Sequence, residues 1–184
     1  GLGKVKSDVK VSSDKEKGII SYSGGVKTEN FELGTLLNNS KFGKVTFDFN
    51  VKSSHRPKQY PYILLKGLVS SIEYSNYQYD NIELDGEYKH GGFDGKIALN
   101  DENGSAFLNG SFNLAVKVPT FDFSAVIKDV RPYELNIASN KYKDTNFSMK
   151  LKANFTGSTI DDMVGSIHVD SISFMTPNDT LSID

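Results

Sequence analysis

The sequence feature that most constrains the fold is an alternation of apolar and polar residues that recurs through most of the chain. Its clearest instance is residues 45–51 (VTFDFNV), where large apolar side chains alternate with polar ones. Successive side chains of a β-strand point to opposite faces, so a period of two predicts a strand with one apolar and one polar face. The chain is therefore predicted to be almost entirely β-structure. Further strands with this period are predicted at 82–88, 93–99, 106–114, 121–127 and 147–155.

Short segments rich in Gly and Asn separate the central strands, at 90–92 (HGG) and 101–104 (DENG). Such residues tolerate positive φ angles and close antiparallel hairpins, so the middle of the chain is predicted to be a meander. A first hairpin is predicted around the polar residues 12–15, and residues 167–174 are predicted to form the last strand.

Helical patterns are confined to three short stretches, at 30–37, 132–136 and 158–163. One or two turns of helix cannot cover the apolar faces of about ten strands, so the sheet must cover itself. Two architectures satisfy this requirement: a β-sandwich, or one long antiparallel sheet curled into a trough with one or two short helices. Periodicity leaves both open. Glycines at alternation positions predict bends in either case: Gly67, Gly86, Gly95, Gly110 and Gly157.

Composition and charge exclude several classes of protein. The net charge of -2 comes from 21 basic and 23 acidic residues spread along the chain, so no basic block points to nucleic acid. Without Cys there is neither a disulfide framework nor a thiolate metal site. No run approaches the roughly 18 to 20 apolar residues that cross a bilayer. The ends of the sequence predict that residues 1–184 are one β-rich segment inside a longer repeat chain.

No constellation of residues points to catalysis. His55, His90 and His168 show no zinc-like spacing. The carboxylates are scattered over the polar faces of strands, and residues 101–104 are interpreted as a hairpin turn and not as a calcium loop. Nucleophile elbows, phosphate-binding loops and dinucleotide fingerprints are missing from the sequence. We therefore expect no enzyme activity, no catalytic residue, no metal ligand and no cofactor.

Two functional interpretations stay open for the predicted apolar face. A dry, self-packed core is the default. The alternative is an open groove for acyl chains, because each buried CH₂ group contributes about 0.8 kcal/mol. The candidate groove residues are Phe47, Phe49, Leu84, Phe93, Ile97, Leu108, Phe112, Phe121, Phe123, Phe147, Met149, Leu151 and Phe155.

A third interpretation is a structural or adhesive β-sandwich module of a surface protein, binding sugar or protein through its loops. Exposed loop aromatics would favour it. The segment 52–61 (KSSHRPKQYP) is basic and aromatic enough to contact a ligand, although an ordinary crossover loop has the same composition. The candidate loop aromatics are Tyr60, Tyr62, Tyr133 and Tyr142.

Residues 31–37 (FELGTLL), followed by 42–51 (FGKVTFDFNV), resemble the TamB family, particularly its forms in Bacteroides-like bacteria. The resemblance extends through 77–86 (YQYDNIELDG) and 92–97 (GFDGKI) to 108–110 (LNG), an order of short patterns similar to the family's repeat unit.

The resemblance implies a function that periodicity alone does not. AsmA-like and TamB proteins are anchored in the inner membrane and span the periplasm with a long curled sheet, whose apolar interior is thought to conduct phospholipid towards the outer membrane. A second role of the family is to aid the assembly and secretion of outer-membrane proteins with a TamA-like or BamA-like barrel. The resemblance thus predicts phospholipid and such a barrel as partners, and a periplasmic location.

Overall fold

A computed structural model describes residues 2–56, 59–176 and 179–183 of the chain and confirms the all-β prediction. Twelve antiparallel strands form one sheet. The strands are β1 (Lys4–Asp14), β2 (Ile19–Glu29), β3 (Phe31–Glu32), β4 (Phe42–His55), β5 (Tyr62–Tyr74), β6 (Tyr77–Lys89), β7 (Gly92–Asp101), β8 (Gly104–Asn113), β9 (Thr120–Val130), β10 (Asn146–Thr156), β11 (Val164–Thr176) and β12 (Asp179–Ile183).

The sheet is a meander in which the strands lie side by side almost in chain order. The one departure is the two-residue β3, which pairs with β4 beyond the end of β2. β1 and β12 are the two edges, so the sheet is not closed into a barrel. In the described part of the chain, extensive strand contacts occur only between lateral neighbours. The fold is thus an open, trough-like sheet, and the sandwich alternative is wrong because no second sheet in the described ranges faces the first.

Both predicted central hairpins are present, at 90–92 and at 101–104, where Gly104 has a φ of 136°. His90 and Gly91, with φ of 50° and 83°, join β6 to β7. Ser75 and Asn76, with φ of 51° and 65°, join β5 to β6 in the same way. Two consecutive residues with φ > 0 match the right-handed twist of the flanking strands. The first hairpin is also confirmed, although its turn lies at residues 15–18, because β1 extends to Asp14.

The strand predicted as the last, 167–174, lies in β11, but β12 follows it and makes that part of the prediction wrong. The register between β10 and β11 shifts between Lys150 and Leu151, which leaves Asp170 as an extra residue in β11. A β-bulge of this kind changes which residues share a face. It explains why the alternation of β11 changes phase between Val169 and Ile172. Pro177 and Asn178, which belong to the predicted final turn, lie outside the described residues.

Of the three predicted helical stretches, only the first is an α-helix: α1 (Leu33–Leu37) packs against β4. The third contains a short 3₁₀ turn, Ile160–Asp162. The second prediction is wrong, because residues 132–136 form successive turns. There the Leu135 N–H donates to the Arg131 carbonyl at 3.1 Å, but the next N–H bonds only three residues back. In the described part of the chain, no helix is long and apolar enough to span a membrane.

One segment, residues 131–145, leaves the sheet after β9 and crosses the apolar side of one of its ends before β10. We call it the crossing segment. The Tyr79 hydroxyl donates to the Leu135 carbonyl at 2.8 Å. The Asn136 side-chain amide donates to the Asn76 carbonyl at 3.1 Å, in the β5–β6 hairpin. Because β7 and β8 lie between that hairpin and β9, the segment spans four strands. We call this the covered end of the sheet.

Candidate functional site

One face of the sheet is apolar from edge to edge. Directly opposed residues of an antiparallel pair point to the same face, so the strand register assigns every residue to a face. The register places a continuous row of apolar or small residues across the sheet, in which each residue is the partner of the next: Val26, Phe49, Gly67, Leu84, Ile97, Leu108, Ala125, Leu151 and Val169.

All of the candidate groove residues lie on this apolar face. Phe47 and Met149 belong to a second row, through Val69 and Ile127, while Phe93, Phe112, Phe121 and Phe155 belong to a third. Phe123 pairs with Ala153, and Phe147 pairs with Val130 at the covered end. The sequence-based selection missed other members of the same face, chiefly on β2, β5 and β6. Those members include Val26, Val51, Leu65, Val69, Ile82 and Tyr88.

Aromatic side chains line the apolar face near the end opposite the covered one. The rings of Phe93 and Phe112 stack with centroids 5.3 Å apart, and those of Phe121 and Phe155 stack at 4.7 Å. Offset stacking at such distances adds to the free energy of simple burial. Because the four residues are successive cross-strand partners, they form one aromatic row over β7 to β10.

A strip without side chains runs beside the aromatic row. Gly86, Gly95 and Gly110 are successive cross-strand partners on the apolar face. Gly110 has a φ of +150°, and a Cβ atom there would lie 2.2 Å from the Asp122 carbonyl oxygen. Only glycine adopts that conformation without strain. The Phe93 ring lies over this strip, because its Cζ atom would be 2.6 Å from a Cβ atom added at Gly86 and 3.0 Å from one added at Gly95. The glycines therefore let the aromatic row lie close to the sheet.

Most of the apolar face is only half-buried. The buried apolar residues are concentrated at the covered end, where Val45, Val130 and Leu135 lie. The other buried apolar residues of the face are Val69 and the small Ala125 and Ala153. Among the described residues, no large side chain is fully buried. A self-packed core would bury its large residues completely, so the face beyond the covered end is a half-buried apolar surface.

The opposite face of the sheet is charged and carries exposed ion pairs. Lys66 pairs with Asp85 at 2.7 Å, and Lys27 with Asp48 at 2.5 Å. Exposed pairs of this kind contribute little to stability, so their main effect is to keep this face hydrated. Hydrogen bonds from the Lys89 ammonium and then the Tyr62 hydroxyl lower the pKa of the Glu87 carboxyl. Three clefts of about 440, 510 and 540 Å³ also lie on this side.

A small polar cluster closes the covered end. The Tyr77 hydroxyl donates to the Asp101 carboxylate at 2.5 Å and accepts from the Asn103 amide at 3.0 Å. Burial, followed by the hydrogen bond to Asp101, raises the pKa of Tyr77 to about 12. The same carboxylate accepts from the backbone N–H groups of Asp80 and Asn103. Asp101 therefore ties β6 to the β7–β8 hairpin, as expected of a structural turn residue.

A polar cleft of about 580 Å³ lies beside the crossing segment, lined by Glu102, Arg131, Glu134, Asp144 and Asn146 among others. In the described ranges, no three His, Asp or Glu side chains are placed to hold a metal ion.

The histidines and the predicted loop lie apart from one another. The His55 ring stacks on Tyr22 with centroids 6.0 Å apart, and His168 Nε2 lies 3.3 Å from Asp170 on β11. The prediction of a loop at 52–61 is partly wrong, because residues 52–55 are the end of β4. Pro57 and Lys58 of that loop lie outside the described residues.

The candidate loop aromatics are also dispersed. Tyr60 is exposed in the connection between β4 and β5. Tyr62 is the first residue of β5, which corrects its prediction as a loop residue. Tyr133 and Tyr142 lie in the crossing segment, at the other end of the strands. The structure therefore does not bring these four tyrosines into one binding surface.

The fold and the apolar face together define the class of this protein. It is an all-β protein with one open sheet and one extensive apolar surface. Comparison with protein-family models, curated proteins and solved structures gives no match to this chain.

Proposed function

We propose that the chain is a segment of a lipid-transfer protein that carries phospholipid acyl chains along its apolar face. The observation that carries this proposal is the uncovered apolar face, which is continuous from β2 to β11. The role is that of a non-catalytic conduit.

Acyl chains suit this surface because the hydrophobic effect is non-directional. Each CH₂ group removed from water contributes about 0.8 kcal/mol, so even a partly shielded chain of several groups gains enough to bind. The glycine strip lets the Phe93 ring lie close to the sheet, so an acyl chain would contact the aromatic row and the row through Leu108. No polar side chain of the face has to recognise a head group, which would stay near solvent.

The resemblance to TamB and AsmA-like proteins supports a place for this segment in the periplasm, within a bridge anchored in the inner membrane and reaching the outer membrane. On this proposal the full bridge passes phospholipid between the membranes, aids outer-membrane protein assembly, or does both, with a TamA-like or BamA-like barrel as partner. An open sheet supports such a bridge, because further strands can pair with an edge of the sheet.

The test is native mass spectrometry of the purified chain, followed by lipid extraction. We expect bound phospholipid, and we expect Leu151→Asp to abolish it by placing a charge on the apolar face. The control is Val126→Asp, which adds the same carboxylate to the charged face opposite Lys150. A lipid-free mass for the unmodified chain, with no uptake of added phospholipid, would contradict the proposal. It would favour the alternative that the chain binds a ligand through the loop that contains Tyr60.

A further inference from the structure

The edge strand β1 presents an entire unpaired side to solvent. Every residue from Lys4 to Ser13 is exposed, including Val5 and Val11 at 55% and 63% of their full accessible surface. Natural sheets protect long edges because their free N–H and C=O groups accept other strands. β1 is eleven residues long, has no proline, and is not covered by any described element. It is therefore a ready acceptor for another strand.

Only some of the charged side chains of β1 form ion pairs with other described residues of the chain. Lys4 pairs with Glu29 at 3.0 Å, and Asp14 pairs with Lys17 at 3.5 Å. Asp8 and Lys10, near the middle of the strand, form no ion pair with any described residue. The residues opposite them on β2 are Gly25 and Ser23, which carry no charge. An external partner can therefore bind both charges without breaking an internal pair.

We propose that β1 pairs antiparallel with β1 of a second copy of this chain, in a two-fold register centred on Val9. Asp8 of each copy then lies opposite Lys10 of the other copy, which gives two pairs of opposite charge. The register also opposes Lys4 to Asp14, so every pair of opposed charges is of opposite sign. Because Val9 is the central residue of the strand, the same register gives the longest possible overlap. Opposite charges on directly opposed residues stabilise a strand pair.

Neighbouring registers place like charges together. Centring the pair on Asp8 opposes Asp8 to itself and Lys6 to Lys10. Centring it on Lys10 opposes Lys10 to itself, and centring it on Ser7 opposes Lys4 to Lys10. Like charges on directly opposed residues are destabilising. The registers centred on Lys10 and Ser7 also contain attractive pairs, Lys6 with Asp14 and Lys6 with Asp8 respectively. Among the registers centred on a residue from Ser7 to Val11, the one centred on Val9 opposes no like charges and has the symmetry of an isologous interface.

The two-fold axis of such a pair is perpendicular to the sheet, so the apolar faces of both copies lie on the same side. Val5, Val9 and Val11 point to that side, because their partners on β2 include Gly24 and Tyr22 of the apolar face. Pairing thus joins two sheets into one continuous apolar surface. Such a dimer forms without lipid. The test of dimer formation is therefore separate from the test of lipid binding.

The first test is sedimentation velocity of the full 184-residue chain over a range of concentrations. We expect a monomer–dimer equilibrium without larger species. Asp8→Lys converts two attractive pairs into repulsive ones and should raise the dimer dissociation constant by about tenfold or more. The double variant Asp8→Lys/Lys10→Asp restores opposite charges and should restore the dimer. Failure of the double variant to restore it would overturn the register, even if the single variant weakens association.

The second test uses the absence of cysteine from the chain. In the proposed register Val9 faces Val9 of the second copy, and directly opposed Cα atoms lie within disulfide range. Val9→Cys should therefore form a disulfide dimer under mild oxidation. The matched control is Val11→Cys, on the same strand and face, which lies opposite Ser7 and should stay reduced. A monomer at all concentrations, equal cross-linking of the two variants, or filaments formed by β1 pairing with the opposite edge, which β11 and β12 form, would each overturn the proposal.

Discussion

The covered end of the sheet and the rest of its apolar face are built from the same alternating strands, yet they have different environments. At the covered end the crossing segment buries Leu135 to 3% exposure and lies over neighbours such as Tyr79. Beyond it, the same face continues over most of the strand length without a second layer among the described residues. The chain can thus cover its own sheet but does so at only one end. The difference separates a small structural core from a surface that is free to bind.

Removing the core side chain of the crossing segment should have the largest effect on folding. We expect Leu135→Ala to lower the free energy of unfolding by about 2–5 kcal/mol, because it leaves a cavity under the segment that covers this end of the apolar face. Urea denaturation measures this loss. The matched control is Ile137→Ala in the same segment, where the side chain is exposed and the change should stay within about 0.5 kcal/mol. Equal losses would mean that the covered end is not a distinct core.

A smaller loss is expected from filling the glycine strip of the open region. Gly110→Ala should cost roughly 1–3 kcal/mol, because its φ of +150° is strained for any other residue and the new methyl group meets the Asp122 carbonyl. Gly25→Ala is the control, since that glycine also lies in a strand but a Cβ atom added there would meet nothing within 4 Å. Urea denaturation of both variants checks the expectation, and an unaffected Gly110→Ala chain would contradict the assignment of the strip.

The alternation predicted the class of fold and thirteen residues that lie on the apolar face, but it missed others on β2, β5 and β6 and could not separate a sandwich from a single sheet. That choice depends on which strands pair, and the register between strands leaves no trace in the period of any one strand. β5 was missed for a related reason. Leu64 and Leu68 on its charged face are next to Leu65 and Val69 on its apolar face, so apolar residues do not alternate with polar ones in this strand.

The sequence also could not predict that the crossing segment covers one end of the apolar face. Its sequence indicated a helical turn at 132–136, whereas its structural importance comes from reaching the β5–β6 hairpin, about 60 positions away in the chain. Such a contact depends on the order of strands in the completed sheet. By contrast, the hairpin at His90 and Gly91 was predictable, because positive φ angles are a local requirement of the turn.

The smallest expected effect concerns alkaline pH and the polar cluster of the covered end. The folded chain holds the Tyr77 proton up to a pKa of about 12, while the unfolded chain releases it near 10.0. Between these values the folded state binds more protons, so the free energy of unfolding should fall as the pH rises from 10 to 12. Tyr77→Phe should make this fall shallower in pH-dependent urea denaturation. An unchanged slope would show that Tyr77 does not titrate differently in the two states.

The most direct test of the central claim asks whether acyl chains touch one face of the sheet and not the other. Phe107 and Leu108 are neighbours in β8 but point to opposite faces, and the chain has no native cysteine. Each is replaced by Cys in turn, labelled with a fluorophore and mixed with phospholipid that carries bromine on its acyl chains, which quenches on contact. We predict strong quenching at position 108 and little at position 107. Equal quenching at both positions, or none at 108, would contradict the account.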